Sequence, residues 1–306
     1  MLARLVNRIP MSILNGLVRM SSACDDPPMT GSPPGRLYVV ATPLGNLEDV
    51  TLRAIRILRE VALIACEDTR RTAVLLRSQG ITTRTTSYFE HNERWKGERI
   101  LDELRAGRDV ALVSDAGTPG ISDPGFRLVR DARDQGLPVI PIPGPSAAVA
   151  ALSASGLPTD RFLFVGFLPS RAGERRRSLE VLAPRRETLV VYESAVRVVA
   201  ALADMEAAFG DREAFLCREA TKLHEEYAKG PLSELRRLLS AKQPVRGEIA
   251  LVVSGAAEAP AADGSPEVLF ARLSSEGRTR REAVKEVARH FGLPARDVYR
   301  RVLSGG

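Results

Sequence analysis

Short apolar segments of strand length alternate with amphipathic helical segments along most of this 306-residue chain. The helical segments carry their apolar residues on one face, as at Leu52, Ile55 and Leu58. Such alternation is typical of βαβ units and of mainly parallel sheets. The predicted strands are residues 37–41, 62–65, 110–113, 139–142, 162–167, 188–192, 214–217 and 248–253. The chain is therefore predicted to have an α/β fold.

Breaks in this pattern divide the chain into five predicted segments. Two α/β domains, residues 36–156 and 157–256, are followed by an Ala-, Pro- and Gly-rich linker at 257–264 and a short helical tail at 265–306. Residues 1–35 are expected to be disordered, since their second half is rich in Ser, Pro and Gly. An equally good interpretation is that the start codon is assigned too far upstream and that translation starts at Met29.

Composition excludes several classes of protein. Three cysteines and three histidines are scattered, which argues against a disulfide framework and against a protein-bound metal. No apolar run reaches the roughly 18 residues that a membrane helix needs. We therefore expect a cytoplasmic protein without a membrane partner.

A long loop follows the predicted strand 110–113. Residues 114–125 contain Gly117, Pro119, Gly120, Pro124 and Gly125, whereas an ordinary connection needs only two to six residues. Open α/β sheets bind ligands at the carboxyl ends of their strands, where glycines let the backbone approach a ligand. This length and composition favour a ligand-binding loop.

Two further Pro- and Gly-containing loops follow other predicted strands, at residues 41–49 and 141–148. The second of these leads into the start of a helix, where free N–H groups suit a carboxylate or a hydroxyl. Neither a dinucleotide fingerprint nor a triphosphate loop is present. Three such loops in one sheet are expected to converge on one crevice.

Five motifs carry a resemblance to a known family: Thr42-Pro43-Leu44-Gly45-Asn46-Leu47, Glu67-Asp68-Thr69-Arg70, residues 114–119, residues 143–147 and Tyr192-Glu193-Ser194. Three of them lie in the loops described above. Together they resemble the motifs of the tetrapyrrole-methylase-like superfamily of S-adenosylmethionine-dependent methyltransferases, and within it they are most similar to members that methylate a cytidine 2′-hydroxyl in 16S ribosomal RNA. The resemblance covers about residues 36–302. It implies a cleft between the two domains that binds S-adenosylmethionine, a partner in the small ribosomal subunit, and a homodimer.

The resemblance also implies which residues serve the reaction. Those expected to bind the donor are Pro43, Asp115, Ala116, Gly117, Thr118, Ser146, Ala147, Tyr192, Glu193, Arg218 and Glu219. Because a group must accept the hydroxyl proton, the catalytic candidates are Glu67, Asp68, Glu193 and Lys222. An ion pair between Asp68 and Arg70 that merely holds the loop explains those two residues equally well.

Basic residues are concentrated in two segments. Residues 170–186 carry six arginines against two glutamates, and residues 265–306 carry nine Lys or Arg against five Asp or Glu. Clustering of this kind favours a polyanionic partner, although a solvated surface would show the same composition. The RNA-binding candidates are Arg70, Arg171, Arg175, Arg176, Arg177, Arg280, Arg281 and Lys285.

The tail shows a helix-turn-helix pattern. Thr279 and Glu282 match a capping box, the first helix stops at Gly292, and a second begins near Ala295. A simple packing hairpin is the alternative. Aromatic residues in a polar loop at 87–96 could stack on an unpaired base or form a hydrophobic lid.

Two other functions compete with RNA methylation. A tetrapyrrole or diphthamide-pathway methyltransferase of the same superfamily would explain the cleft but would give the basic segments no role. A non-enzymatic nucleic-acid-binding protein would use the tail but would leave the three converging loops unexplained.

Overall fold

The computed structural model describes residues 33–242, 244–257 and 264–303. Most of the predicted N-terminal extension (residues 1–32), most of the predicted linker (residues 258–263) and the end of the tail (residues 304–306) lie outside the described residues.

The first domain is built on a five-stranded, fully parallel sheet with the order β3-β2-β4-β1-β5. Its strands are β1 (Leu37–Val40), β2 (Leu63–Cys66), β3 (Thr85–Ser87), β4 (Val110–Val113) and β5 (Val139–Ile142). Four helices connect them: α1 (Leu52–Glu60), α2 (Thr69–Ser78), α3 (Glu93–Arg105) and α4 (Phe126–Asp134). A short 3-10 helix at Leu47–Asp49 precedes α1.

Helices cover both faces of this sheet. Ile57 of α1 and Leu75 of α2 pack against one face, while Ile100 of α3 and Leu128 of α4 pack against the other. Strands β2 and β4 are buried at every residue, as expected for central strands of a parallel sheet. The sheet and its helices therefore form a rigid framework, which can hold in place the loops at the carboxyl ends of the strands.

The second domain contains a mixed sheet with the order β6-β7-β10-β8-β9. Its strands are β6 (Phe162–Phe167), β7 (Thr188–Ser194), β8 (Glu213–Arg218), β9 (Glu226–Pro231) and β10 (Glu248–Val253). Its helices are α5 (Ala147–Ser155), α6 (Ala172–Leu182), α7 (Val198–Phe209) and α8 (Leu232–Ser240). Helix α5 follows β5 of the first sheet but packs on the second, with Ala151 and Leu152 against Val190 and Val252.

The prediction of a mainly parallel sheet was wrong for this domain. Strands β6 and β7 pair in parallel, whereas β10 is antiparallel to both of its neighbours and β9 is antiparallel to β8. The short connection between β8 and β9 reverses the chain. Because β9 was not predicted, the reversed direction of β10 could not be foreseen.

The tail forms three helices with a core of their own. These are α9 (Pro266–Ser275), α10 (Arg280–Phe291) and α11 (Ala295–Leu303), and their core consists of Leu269, Leu273, Ala283, Val284, Val287 and Val298. The predicted capping box at Thr279 and Glu282 is confirmed, and Gly292 ends α10 in the left-handed conformation. Helix α9 was not predicted. No helix in the described parts of the chain is long and apolar enough to cross a membrane.

The predicted polar loop at 87–96 begins at the end of β3 and is helical only from Glu93 onward. Tyr88 is buried in the core, whereas Trp95 lies in α3 with half of its surface exposed. The side chains of Lys96 and Arg99 lie over the Trp95 ring. Tyr88 is therefore not available to stack on a base.

Candidate functional site

Three loops meet because they leave three neighbouring strands, β4, β1 and β5. The backbones of Thr42 and Gly117 exchange two hydrogen bonds, of 2.9 and 3.0 Å. The Thr118 hydroxyl donates to the Pro145 carbonyl at 3.2 Å, which ties the loop after β4 to the loop after β5. These contacts give the cleft a preorganised floor.

Gly117 is required by the local backbone. Its φ of +79° lies in the left-handed region, which is costly for a residue with a Cβ atom. A Cβ there would lie 3.4 Å from the Leu44 side chain and 3.8 Å from the Pro145 carbonyl oxygen. The three loops can therefore approach one another most closely with glycine at this position.

A cavity of about 400 Å³ lies above these loops and is lined by residues of both domains. Nine of the predicted site residues line it: Glu67, Asp115, Ala116, Gly117, Thr118, Ser146, Ala147, Tyr192 and Glu193. Residues 247–249, at the start of β10, line it as well. Sequence reasoning missed several lining residues, among them Arg71, Ile121, Ser122, Asp123 and Phe167.

Asp68 and Arg70 occupy a structural position beside the cleft rather than in its lining. The Asp68 carboxylate caps α2 by accepting from the Arg70 backbone N–H, and it pairs with the Arg70 guanidinium at 2.9 Å. The side-chain hydrogen bond from Arg70 is the main reason that the pKa of Asp68 falls to about 2. A carboxylate with so low a pKa is a poor proton acceptor at neutral pH. This arrangement favours the loop-holding interpretation of Asp68 over the predicted catalytic role.

Arg218 is likewise held by the protein and does not line the cavity. Its guanidinium donates to the Glu226 carboxylate at 2.8 Å and to the Arg246 carbonyl at 3.0 Å. These bonds join β8 to β9 and to the chain before β10. The expected direct contact between Arg218 and the donor is not supported, and Pro43 also lies outside the lining.

Lys222 and Glu219 are bonded to each other and to Glu248. The Lys222 ammonium lies 2.8 Å from Glu219 and 3.1 Å from Glu248, and Glu219 also accepts from the Glu248 backbone N–H. Although burial alone would raise it, these bonds lower the pKa of Glu219. Since Glu248 lines the cavity while Glu219 and Lys222 do not, the pair fixes one cleft wall.

The two domains touch at the rim of the cleft. The Asn46 backbone N–H donates to the Thr221 hydroxyl at 3.2 Å, and the stem of Lys222 lies against Gly45. Thr221 adopts a positive φ of 65°, which is uncommon for a residue other than glycine. A loop of each domain is thus joined beside the opening.

The cavity contains a concentration of carboxylates. Asp115 is held by two contacts, one from the Asp68 backbone N–H at 3.0 Å and one from Arg71 at 3.3 Å. Burial, reinforced by the charge of Asp115, raises the pKa of Glu67. Burial, reinforced by the charge of Glu67, raises the pKa of Asp123 to about 7. The site therefore suits a cationic ligand that would compensate these charges.

Glu193 lines the same cavity and has one carboxylate oxygen without a hydrogen-bond partner among the described residues. It is 1% exposed, and its Oε1 accepts from the Ser194 backbone N–H and pairs with Arg197, each at 2.7 Å. Its Oε2 is buried without a hydrogen-bond partner among the described residues. An unsatisfied buried oxygen beside a cavity is explained if a ligand supplies the missing donor.

An apolar wall faces the carboxylates. The Tyr192 hydroxyl accepts from the Ala148 backbone N–H at 2.9 Å and so anchors the start of α5. The rings of Phe164 and Phe167 pack edge-on against Tyr192, with centroids 5.0 and 5.7 Å away. Phe167 lines the cavity but leaves 54% of its surface exposed. This side of the cleft suits a flat heterocycle.

The fold and this cleft are those of a two-domain α/β methyltransferase. The model of the tetrapyrrole (corrin/porphyrin) methylases matches residues 36–236. Curated proteins named ribosomal RNA small subunit methyltransferase I are 47% identical over 274 residues in Halalkalibacterium halodurans and 43% identical over 272 residues in Bacillus subtilis. Each alignment covers 87% of this chain and 93% of the relative. The chain belongs to the tetrapyrrole methylase family and, within it, to the ribosomal RNA small subunit methyltransferase I group.

Solved structures show the same fold at low sequence identity. Uroporphyrin-III C-methyltransferase from Thermus thermophilus has a TM-score of 0.53 and 22% identity, covering 72% of this chain and 94% of that one. A diphthine synthase has a TM-score of 0.55 and 14% identity, covering 72% and 90%. The family model and the curated relatives show that the protein is a methyltransferase, and enzymes of this family use S-adenosylmethionine as the methyl donor.

Proposed function

We propose that the protein transfers a methyl group from S-adenosylmethionine to the ribose 2′-hydroxyl of a cytidine in the 16S RNA of the small ribosomal subunit. The observation that carries this proposal is the 43–47% identity, across 87% of the chain, to relatives named for that RNA. Such a substrate would place the enzyme in the cytoplasm. A homodimer, which the family resemblance implies, is part of the proposal, and analytical ultracentrifugation would test it.

The donor is proposed to lie in the cleft between the two domains. Its ammonium and sulfonium charges match the carboxylates of the cavity, and the free Glu193 oxygen can accept a hydrogen bond from it. The apolar wall at Tyr192 would hold the adenine. The proposed direct contacts come from Asp115, Ala116, Gly117, Thr118, Ser146, Ala147, Tyr192 and Glu193, whereas Pro43, Arg218 and Glu219 would support them from outside the lining.

For this reaction the protein must orient the donor and the ribose, and it must provide a group that accepts the hydroxyl proton. The sulfonium of the donor supplies an electrophilic methyl group, so that neither a covalent nucleophile nor a metal is required. The preorganised loops would fix donor and ribose in line, and alignment of this kind is a large part of the rate enhancement in bimolecular transfers. Lys222 is proposed to contribute by holding Glu219 and Glu248 in place.

The RNA is proposed to cross the basic surfaces on either side of the cleft. Arg70 is 89% exposed beside the opening, and Arg171 and Arg176 of the second domain are 82% and 66% exposed. Arg177 and the tail residues Arg280, Arg281 and Lys285 are exposed as well. Arg175 is excluded, because it is buried against Asp204. Phosphate contacts from these residues would make binding strongly salt-dependent.

Incubation of the purified protein with methyl-labelled donor tests this proposal. Parallel reactions would contain small ribosomal subunits, naked 16S RNA or a corrin precursor. Label in RNA, mapped by mass spectrometry to one cytidine whose 3′ linkage resists alkali, is the expected result. Label in the corrin precursor, or on a base instead of a ribose, would contradict it.

A further inference from the structure

We propose that Asp123 accepts the proton of the hydroxyl that is methylated; this inference rests on the proposed function. Asp123 lies near the end of the loop 114–125 and lines the cavity shared by the two domains. The predicted ligand-binding loop includes it, but none of the individually predicted site residues is Asp123.

The backbone around Asp123 is specialised. Ser122 has a φ of +63°, an uncommon conformation for a residue other than glycine, and Gly125 has a φ of +137°. Backbone conformations of this kind are concentrated at functional sites. The Glu93 carboxylate of α3 accepts from the Gly125 N–H at 3.3 Å, which fixes the loop from outside. The loop therefore holds Asp123 at the cavity in a defined position.

The groups facing Asp123 come from four elements. Glu67 follows β2, Asp115 lies in the same loop, Glu248 begins β10, and the Tyr192 hydroxyl projects from β7. The Ser114 hydroxyl donates to the carbonyls of Ala116 and Gly117, each at 3.3 Å, and its influence lowers the pKa of Asp123 by less than burial raises it. Two cations are close to these neighbours, but each is paired elsewhere: Arg71 with Asp115, and Lys222 with Glu219 and Glu248.

Asp123 and Glu67 differ from the other acids of the cavity lining in forming no ion pair with the described residues. Asp115 is held by Arg71, Glu193 by Arg197, and Glu248 by Lys222. Asp123 forms no ion pair with any of the described residues. Burial with like-charged neighbours raises its pKa to about 7, and general bases work best when their pKa lies near the ambient pH.

The proposed step conserves atoms and charge. An electron pair of the ribose oxygen forms the new bond to the methyl carbon, while the sulfur–methyl bond breaks and its electrons remain on sulfur as a neutral thioether. The O–H bond breaks, and its proton passes to the Asp123 carboxylate, directly or through one water molecule. The resulting carboxylic acid returns the proton to solvent after the products leave.

This assignment predicts a coupling between donor binding and proton release. A cation placed among these carboxylates favours the charged form of Asp123 and so lowers its pKa. At pH 7 a group with a pKa of about 7 is about half protonated, so donor binding should release about half a proton per site.

Calorimetry measures this release without any RNA. S-adenosylmethionine is titrated into the full-length protein at pH 7 in phosphate and in Tris, and the difference in heat between the buffers gives the protons released. The wild type is expected to release about half a proton, and Asp123→Asn none, with its donor affinity within about fivefold of the wild type. Asp134→Asn is the matched control, because Asp134 lies exposed at the end of α4. The Asp134→Asn variant should release the same number of protons on donor binding as the wild type.

Methylation of small subunits supplies the second measurement. Asp123→Asn is expected to lose about 100-fold or more in rate, together with the acidic limb of the pH profile, which should lie below pH 7 because the bound donor lowers the pKa of Asp123. Retention of the rate, or of proton release, in Asp123→Asn would overturn the inference while leaving the proposed function intact. Failure of the wild-type protein to bind the donor would instead overturn both.

Discussion

The guanidinium of Arg175 and the carboxylate of Asp204 form a buried ion pair, with Nη2 and Oδ2 2.6 Å apart and side-chain exposures of 6% and 9%. Arg176 donates to the other oxygen of Asp204 at 2.8 Å, and Arg175 also donates to the Ser170 carbonyl. The pair joins α6 to α7. Arg175 was predicted to bind RNA because of its sequence neighbours, but it serves the packing of the second domain.

Asp204→Asn is therefore expected to destabilise the protein by about 3 kcal/mol, since breaking a buried pair leaves an uncompensated charge. Urea denaturation checks this value. Arg177→Ala, on the exposed side of the same α6, should change the free energy of unfolding by less than about 0.5 kcal/mol. Equal effects of the two substitutions would show that the buried pair does not contribute.

The same pair predicts a pH dependence of stability. Although burial alone would raise it, hydrogen bonds from Arg176 and Arg175 lower the pKa of Asp204 below its ordinary value of 3.8. The folded state then binds the Asp204 proton less tightly than the unfolded state does. This stabilisation is present above pH 3.8 and is lost as the pH falls through the lowered pKa. Denaturation curves between pH 5 and about 3 should show a smaller acid loss in Asp204→Asn than in wild type.

The fold could be predicted wherever a buried element produces a recognisable run or periodic pattern of apolar residues in the sequence. The runs at 110–113, 139–142, 162–167 and 248–253 were predicted with the bounds of β4, β5, β6 and β10. Strands β3 and β9 were missed because they are short or polar segments at sheet edges, where neither continuous hydrophobicity nor strict alternation is needed. The reversed direction of β10 followed from that omission.

The loops that form the site could be predicted from the sequence, whereas the charged residues that line it could be predicted only in part. Gly117 and its neighbours were found because glycine and proline mark special backbone in the sequence itself. Arg218 and Asp68 are also polar and lie near motif residues, but their partners Glu226 and Arg70 hold them outside the cavity lining. Which charged side chains form ion pairs depends on their distances in the folded protein, and a single sequence does not give these distances.

Gly117→Leu should weaken donor binding at least tenfold. The substitution places a side chain at the meeting point of the three loops, where a Cβ alone would lie 3.4 Å from Leu44. Its left-handed φ adds a strain of about 1–2 kcal/mol. Gly136→Leu is the control, since Gly136 has a φ of +70° and nothing within 4 Å. Calorimetry should show weaker binding only in the Gly117 variant, while thermal unfolding should show destabilisation in both.

Thr221→Val should speed dissociation of the donor. It removes the hydrogen bond from Asn46 that joins the two domains at the cleft rim, while keeping the shape of the side chain. A bond worth about 1 kcal/mol corresponds to roughly fivefold in the dissociation rate. Stopped-flow fluorescence can measure that rate. Thr221→Ser keeps the hydroxyl and should dissociate at the wild-type rate, whereas equal acceleration in both variants would argue against a role for the hydrogen bond.

Arg281→Ala should weaken RNA binding while leaving donor binding unchanged. Arg281 is exposed on α10, whose apolar side packs into the core of the tail, so its loss should cost little stability. Each lost phosphate contact lowers the slope of log affinity against log salt by about 0.7–0.9. Binding of an RNA fragment between 50 and 300 mM salt measures that slope. Arg237→Ala removes an exposed arginine from α8 and should leave the slope unchanged; an equal change in both would mean that net charge, rather than the tail, attracts the RNA.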